Sequence, residues 1–169
     1  MTKFGIFAAL AAFGAFAASA QPAVAQDVLY GQKALTPEAA LMAAQAAMGA
    51  CREQGFQVAV AVVDRGGNPQ TMLRDRFAGA HTADTAARKA YTAVSFRTDT
   101  IDLIAMTGPG TPAAGLRDLP GVAILGGGVR IEAGGTIVGG IGVSGSPGGD
   151  TDDRCARAGI DAIRSGLDF

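Results

Sequence analysis

The chain has 169 residues, of which 49% are hydrophobic, 17% are charged and 6% are aromatic, and it contains 25 glycines and no tryptophan. Its formal net charge of −1 at pH 7 excludes a strongly basic nucleic-acid-binding protein and argues against a polybasic membrane-surface protein. The length suits one domain rather than two.

Residues 1–25 have the features of a secretory signal peptide. Lys3 supplies the positive n-region, an apolar run follows it, and Ala-x-Ala cleavage sites end at Ala20 and Ala25. The run is shorter than the roughly 20 residues of a membrane-spanning helix. We therefore predict cleavage after Ala25, no membrane insertion of the mature protein, and export to the periplasm or the medium.

Cleavage leaves a polar leader over residues 26–35 and a single domain over residues 36–169. The mature chain keeps 15 acidic residues and, without Lys3, 13 basic ones. It also keeps both cysteines, Cys51 and Cys155. An even pair of cysteines in an exported protein predicts a disulfide, and two buried free thiols are the alternative.

The first predicted elements are a helix and a β-hairpin. Thr36 caps the helix, Pro37 suits its first turn, and Gly55 ends it. Residues 58–63 alternate valine and alanine and predict a central strand, and residues 70–74 return after a turn. The apolar stripe of the helix comprises Leu41, Ala44, Met48 and Cys51.

Two further helices and a loop follow. Residues 82–96 have helical period, and residues 100–106 form a second helix that Gly108-Pro109-Gly110 ends. The stretch to Pro120 predicts a loop with one helical turn. The alanine-rich face of the longer helix allows another element to approach closely, and it comprises Ala83, Ala86, Ala90 and Val94.

The last third of the chain predicts three strands and a helix. The strands cover residues 122–125, 129–132 and 136–143, and the helix opens at Asp150 and carries Cys155. The order α-ββ-αα-βββ-α groups the helices and joins the strands in hairpins, which indicates an α+β domain with an antiparallel sheet. A disulfide between the terminal helices is reasonable if they pack side by side on that sheet.

Residues 140–145 match the letters of the dinucleotide-binding motif G-x-G-x-x-G. That motif requires a helix to open at its glycines, whereas Pro147 delays the helix until Asp150, so the pattern does not predict a nucleotide site. We expect these glycines to let a helix or a ligand approach the strand. The overlapping residues 142–146 lack the closing glycine of a nucleophile elbow.

His81 is the single histidine and the leading candidate metal ligand. It precedes the alanine-rich helix, where Asp84 would share its helical face. One imidazole is enough to bind haem iron, whereas zinc takes about four ligands. An ordinary surface or hydrogen-bonded histidine is the alternative. Asp150, Asp152 and Asp153 suit the positive end of the last helix, with a cation site as the alternative.

Residues 65–97 form a basic stretch, with six basic and two acidic side chains in an otherwise acidic chain. Arg74 and Arg88 are its candidate anion anchors, because guanidinium groups bind carboxylates such as porphyrin propionates in bidentate fashion. An ordinary solvated surface is the alternative.

The mature chain resembles the GlcG/HbpS family of haem-binding or haem-degrading domains, which includes the C-terminal domains of PduO-type proteins. The matching stretches are VAVAVVDRGG at 58–67, RKAYTA at 88–93, LPG at 119–121, GGG at 126–128, GGIGVSG at 139–145 and residues 150–159. They follow the family order and cover roughly residues 36–165.

The resemblance implies a five-stranded antiparallel sheet flanked by helices and a homo-oligomer. It also implies haem or iron binding and redox sensing with a membrane kinase, as in some secreted members. The paired acidic residues of iron-binding members correspond to Asp84 and Ala87 here, and a haem-contacting hydroxyl residue corresponds to Val122. The resemblance therefore implies no iron site of that type, and His81 as haem ligand is an inference from this sequence.

The sequence predicts an exported, oligomeric protein that binds haem through His81, with Asp84 beside it and Arg74 and Arg88 as anion anchors. One alternative is a small-molecule enzyme or organic-acid-binding accessory protein of oxidative metabolism. Another is a structural or signalling partner without a small ligand. No catalytic residue is predicted, and a binding protein is favoured over an enzyme.

Overall fold

The computed structural model describes residues 28–168, and its compact unit is Gln32–Phe169. The predicted signal peptide and its cleavage site lie outside the described residues. Within the described part of the chain, no helix is long and apolar enough to cross a membrane.

Four helices, two short 3₁₀ turns and four strands make up this unit. They are α1 (Pro37–Glu53), β1 (Ala59–Asp64), β2 (Pro69–Arg74), α2 (Thr82–Phe96), α3 (Thr100–Met106), a 3₁₀ turn (Ala114–Asp118), β3 (Gly128–Ala133), β4 (Thr136–Ser144), α4 (Gly149–Ile163) and a 3₁₀ turn (Arg164–Gly166). The predicted α+β class is confirmed, and the predicted bounds of α2 and α3 are those observed.

The strands form one antiparallel sheet with the order β2-β1-β4-β3. The two central strands pair in register, with Val60 opposite Val143 and Val62 opposite Ile141. The edges are therefore β2, from the first hairpin, and β3, from the second. The turns of both hairpins lie at the same end of the sheet as the last turn of α2. This arrangement brings Arg65 and Arg97 to one cavity.

The predicted strand at 122–125 is wrong, and the sheet of the described chain has four strands instead of five. The Ala123 N–H donates to Thr92 Oγ1 on α2 at 2.9 Å, so the backbone of this segment bonds to a helix instead of a neighbouring strand. The apolar residue Ile124 of this segment is buried by tertiary packing, without any strand pairing.

The sheet lies between two layers of helices. Its valine-rich face packs against α1 and α4, and the side chains of Val60, Val62 and Val143 are fully buried there. The predicted apolar stripe of α1 is correct except at Leu41, which is 40% exposed. The buried face of α1 is wider than the predicted stripe and consists of Ala40, Ala43, Ala44, Ala47, Met48 and Cys51.

The opposite face of the sheet carries α2 at very short range. A Cβ added to Gly142 would lie 2.0 Å from the carbonyl oxygen of Ala86, and one added to Gly140 would lie 2.7 Å from Val94 Cγ1. The glycine run of β4 therefore exists to admit a helix, which is the first of the two alternatives that the sequence left open. The alanines of α2 complete this contact, because Ala86 and Ala90 are fully buried.

Cys51 on α1 and Cys155 on α4 form a disulfide with a Cα–Cα distance of 5.6 Å. The predicted disulfide is confirmed, and so is the side-by-side packing of the terminal helices. Gly159 permits the close approach of the two helices, because a Cβ there would lie 2.5 Å from the carbonyl oxygen of Ala43.

Candidate functional site

A cavity of about 550 Å³ lies at the N-terminal end of α2, beside the start of α4. Its volume falls in the range of roughly 300–1,000 Å³ that is usual for small-molecule sites. Four groups of residues line it: the end of β4 with the loop that follows, the first turn of α4, the α3 helix with Leu125 and Gly126, and the α2 helix with the segment that leads into it.

The inner wall of this cavity holds a buried ion pair. Lys89 Nζ lies 2.8 Å from Asp152 Oδ2, and these side chains are 3% and 4% exposed. Lys89 also donates to the carbonyl oxygen of Val143 at 2.9 Å, and the Ser146 N–H donates to Asp152 Oδ1 at 3.1 Å. The pair thus fixes β4, the loop after it and α4 to α2, with both carboxylate oxygens satisfied.

Sequence reasoning missed this pair, because it assigned Lys89 to a basic surface and Asp152 to the cap of a helix. A pattern that would have found Lys89 is present, since it lies three residues after Ala86 and beside Ala90 on the buried face of α2. The N-cap of α4 is Gly148, which has no side-chain cap. Asp150, Asp152 and Asp153 pair instead with Arg154, Lys89 and Arg157.

His81 lies at the rim of the cavity, at the N-cap position of α2. Its side chain is exposed and has no hydrogen-bond partner among residues 28–168. Gly79 makes room for the imidazole, because a Cβ there would lie 2.9 Å from His81 Cε1. The imidazole therefore lies against Gly79, and neither ring nitrogen makes a hydrogen bond within residues 28–168.

The other predicted site residues lie outside the cavity lining. Arg88 Nε pairs with Asp84 Oδ2 at 2.8 Å on the exposed side of α2. Arg74 Nη1 donates to the carbonyl oxygen of Ala78 at 2.9 Å. The structure therefore places one of the four predicted residues, His81, at the cavity, and it joins Asp84 to Arg88 instead of to His81.

The outer wall of the cavity is apolar. Ile101 and Ile104 project from α3, and Leu125 follows the segment that was predicted to be a strand. Ile104 is 41% exposed and Leu125 is 53% exposed, so this wall offers uncovered apolar area to a ligand. Gly126 lets the chain cross the start of α4, because a Cβ there would lie 2.7 Å from the carbonyl oxygen of Gly149.

The side chains at the cavity suit a ligand whose metal needs only one coordinating group from the protein. The described residues contain no group of three or more histidine, cysteine or carboxylate side chains that could hold a metal ion. Both cysteines are bonded to each other. At the mouth of the cavity, the hydrogen bond from Arg154 lowers the pKa of Asp150, which keeps that carboxylate ionised.

The family model of the haem-degrading HbpS-like proteins matches residues 35–161. The chain belongs to this family. Its structure is similar to that of a double mutant of Streptomyces reticuli HbpS, with 43% sequence identity and a TM-score of 0.77, over 86% of this chain and 98% of that one. The GlcG/HbpS resemblance drawn from the sequence is therefore confirmed.

Two other HbpS-like structures extend the comparison. A PduO C-terminal domain in complex with haem is 30% identical, with a TM-score of 0.73 over 77% of this chain and 95% of that one. The ORFY protein of Klebsiella pneumoniae is 27% identical, with a TM-score of 0.79 over 82% and 97%. No curated protein sequence matches the chain.

Proposed function

We propose that this protein binds haem in the cavity at the N-terminal end of α2, with His81 as the residue that would hold the iron. The observation that carries the proposal is an exposed imidazole without a partner, at the rim of a cavity with an uncovered apolar wall. Membership of the HbpS-like family and the haem complex of a relative support the choice of ligand.

The chemistry of the donor set fits haem better than a free metal ion. A porphyrin supplies four nitrogen ligands itself, so the protein needs to add only one or two axial groups. A neutral imidazole is the commonest such group. Ile101, Ile104 and Leu125 would cover part of the macrocycle and exclude water from one side. Bound haem would supply the one-electron chemistry of its iron.

The remaining predicted residues lie around His81 in this proposal. Arg74 holds the carbonyl oxygen of Ala78, three residues before His81, and thereby orients the segment that carries the ligand. Asp84 and Arg88 form a pair one turn further along α2. We propose Arg88 and Arg74 as the cationic groups that would bind propionates extending beyond the cavity.

A haemin titration of the purified protein, followed in the Soret band, tests this function. We expect a shifted Soret band that saturates at one haem per chain, and at least a tenfold loss of affinity in His81→Ala. Asp102→Ala is the matched control, because Asp102 is exposed on α3 but does not line the cavity. A flat titration of the wild type would refute haem binding, and unchanged affinity in His81→Ala would refute the ligand.

A second candidate function, the binding of a small organic acid, is favoured by a different observation at the same cavity. The helix α4 starts there after Gly148, and this small residue would let an anion approach the positive end of the helix dipole, where Asp150 already accepts hydrogen bonds from its own N–H and that of Thr151. Lys89 lines the same wall. A thermal-shift screen separates the two functions, since a ligand that binds only the folded protein raises its melting temperature.

The proposal includes export and self-association. The signal-like residues 1–25 and the disulfide support export, because disulfides persist in oxidising compartments. The amino-terminal sequence of the secreted protein would test cleavage after Ala25. Light scattering of the eluted protein would test whether it is a homo-oligomer.

A further inference from the structure

A second cavity, of about 440 Å³, lies at the other end of α2. Two arginines line it: Arg65 in the turn between β1 and β2, and Arg97 directly after α2. Ser95 and Thr136 add hydroxyl groups to the lining. We call this the guanidinium pocket. Its lining, all of which the structure describes, contains no carboxylate.

Among residues 28–168, the arginines of this pocket are unusual because their guanidinium groups have no partner. Most arginines in residues 28–168 hold a carboxylate or a backbone carbonyl, as Arg130 holds Asp99 and Arg117 holds the carbonyl oxygen of Thr107. Arg65, Arg76 and Arg97 are the described arginines whose guanidinium groups have no such contact. Two of these three come from different elements and meet in one cavity.

The acidic residues on the adjoining elements form no ion pair with either arginine of the pocket. Asp64, next to Arg65, accepts hydrogen bonds from the backbone and side chain of Asn68, and these lower its pKa. Glu132 pairs with Arg130 at 3.1 Å. The two guanidinium groups therefore line the pocket without an ion-pair partner among residues 28–168. Their combined charge exceeds the single charge of the ionised Asp64 together with the half-charge at the C-terminus of α2.

The backbone at Arg97 favours a different residue, which indicates a role for its side chain. Arg97 has a φ of 52° and is the described non-glycine residue with a left-handed conformation. Glycine and asparagine are the residues that this position after a helix favours. The carbonyl oxygen of Arg97 accepts a hydrogen bond from Arg130 Nη1 at 2.9 Å, so the strained residue is held in place.

We propose that the guanidinium pocket binds a dianionic oxyanion of the phosphate type, free or as a phosphomonoester. The guanidinium forks of Arg65 and Arg97 match phosphate oxygens in bidentate geometry. The hydroxyl groups of Ser95 and Thr136 add neutral donors, and Val94 and Ile137 form an apolar border for an organic substituent. A Cβ added at Gly135 would meet no atom within 4 Å, so the hairpin turn leaves the pocket open.

The site is independent of the proposed haem function, because it lies at the opposite end of α2 and shares no lining residue with the first cavity. Because both arginines are exposed, its affinity should be modest and should fall as salt screens the charges. Phosphate binding that persists at high salt would not fit a site made of these exposed groups.

Calorimetric titration of the purified protein with inorganic phosphate, and separately with phenyl phosphate, tests the proposal at low ionic strength. We expect Arg65→Gln and Arg97→Gly each to weaken binding about tenfold, the effect of removing a charged hydrogen-bond donor, and the double variant to abolish it. Arg97→Gly suits the left-handed backbone and should fold normally.

Arg76→Gln is the matched control, because it removes the same charge from an unpartnered exposed arginine outside the pocket. Equal loss of binding in Arg76→Gln, unchanged binding in the double variant, or no phosphate binding by the wild type would overturn the proposal. A change in oligomeric state in the double variant would also overturn it, since the arginines would then serve contacts between copies. Haemin affinity should be the same in all these variants.

Discussion

The disulfide between α1 and α4 should make a large contribution to the stability of the fold. The variant Cys51→Ala/Cys155→Ala opens a link between residues 104 positions apart. The chain-entropy relation for a loop of that length gives about 4.7 kcal/mol of lost free energy of unfolding. For a folded unit of this size, with an unfolding entropy of roughly 0.3 kcal/mol/K, the melting temperature should fall by about 16 °C.

Thermal unfolding followed by circular dichroism measures this shift. The wild type with a reducing agent should melt near the double variant, and the double variant should not respond to the reducing agent. A fall of less than about 4 °C would refute the reasoning. It would mean that the unfolded chain already keeps its two terminal helices close together, so that the bond removes little entropy from it.

Three further predictions concern single positions. Gly142→Ala puts a methyl group 2.0 Å from a backbone oxygen of α2 and should lower the free energy of unfolding in urea by about 2–3 kcal/mol or more. The control Gly49→Ala, whose methyl group would meet no atom within 4 Å, should raise it by about 0.5–1 kcal/mol. Equal effects would contradict the close packing of α2. Lys89→Met should lower the free energy of unfolding by about 3–5 kcal/mol, because it leaves Asp152 buried without its counter-charge. Removing both charges should cost less than the sum of the two single losses. Strict additivity in that double-mutant cycle would contradict a coupled pair. Burial alone would raise the pKa of Asp99, but hydrogen bonds from Arg130 and Arg157 lower it overall. The stabilisation by the ionised carboxylate should therefore be complete above the ordinary pKa of about 3.9 and be lost as the pH falls below that value. Asp99→Asn should therefore flatten the acid side of the stability curve, and an unchanged acid side would contradict the assignment.

The helices and hairpins could be predicted because their signals are local. Thr36 accepts a hydrogen bond from the Ala39 N–H at 3.2 Å, as a capping residue should, and Gly55 follows the helix with a φ of 83°. The segment 122–125 could not be predicted by the same means. Its run of apolar residues is typical of a strand, but its partner is Thr92 on α2, and no local pattern specifies a contact across 31 residues.

The candidate site was harder to predict than the fold, because its members act through contacts distant in sequence. His81 was found as the single histidine, and it does line the cavity. Asp84 was assigned to His81 by helical spacing, yet the same spacing serves its pair with Arg88 one turn later. The partner of Lys89 lies 63 positions away, and only the folded chain brings them together.

The covalent link between the terminal helices also determines how the protein responds to proteolysis. Cys51 and Cys155 enclose every loop between α1 and α4, including the largely exposed stretch of residues 108–121. A single cut in that stretch would leave two fragments that stay joined and cannot diffuse apart. The nicked molecule would keep both pieces until a reductant separated them, so proteolysis at this loop would release no fragment.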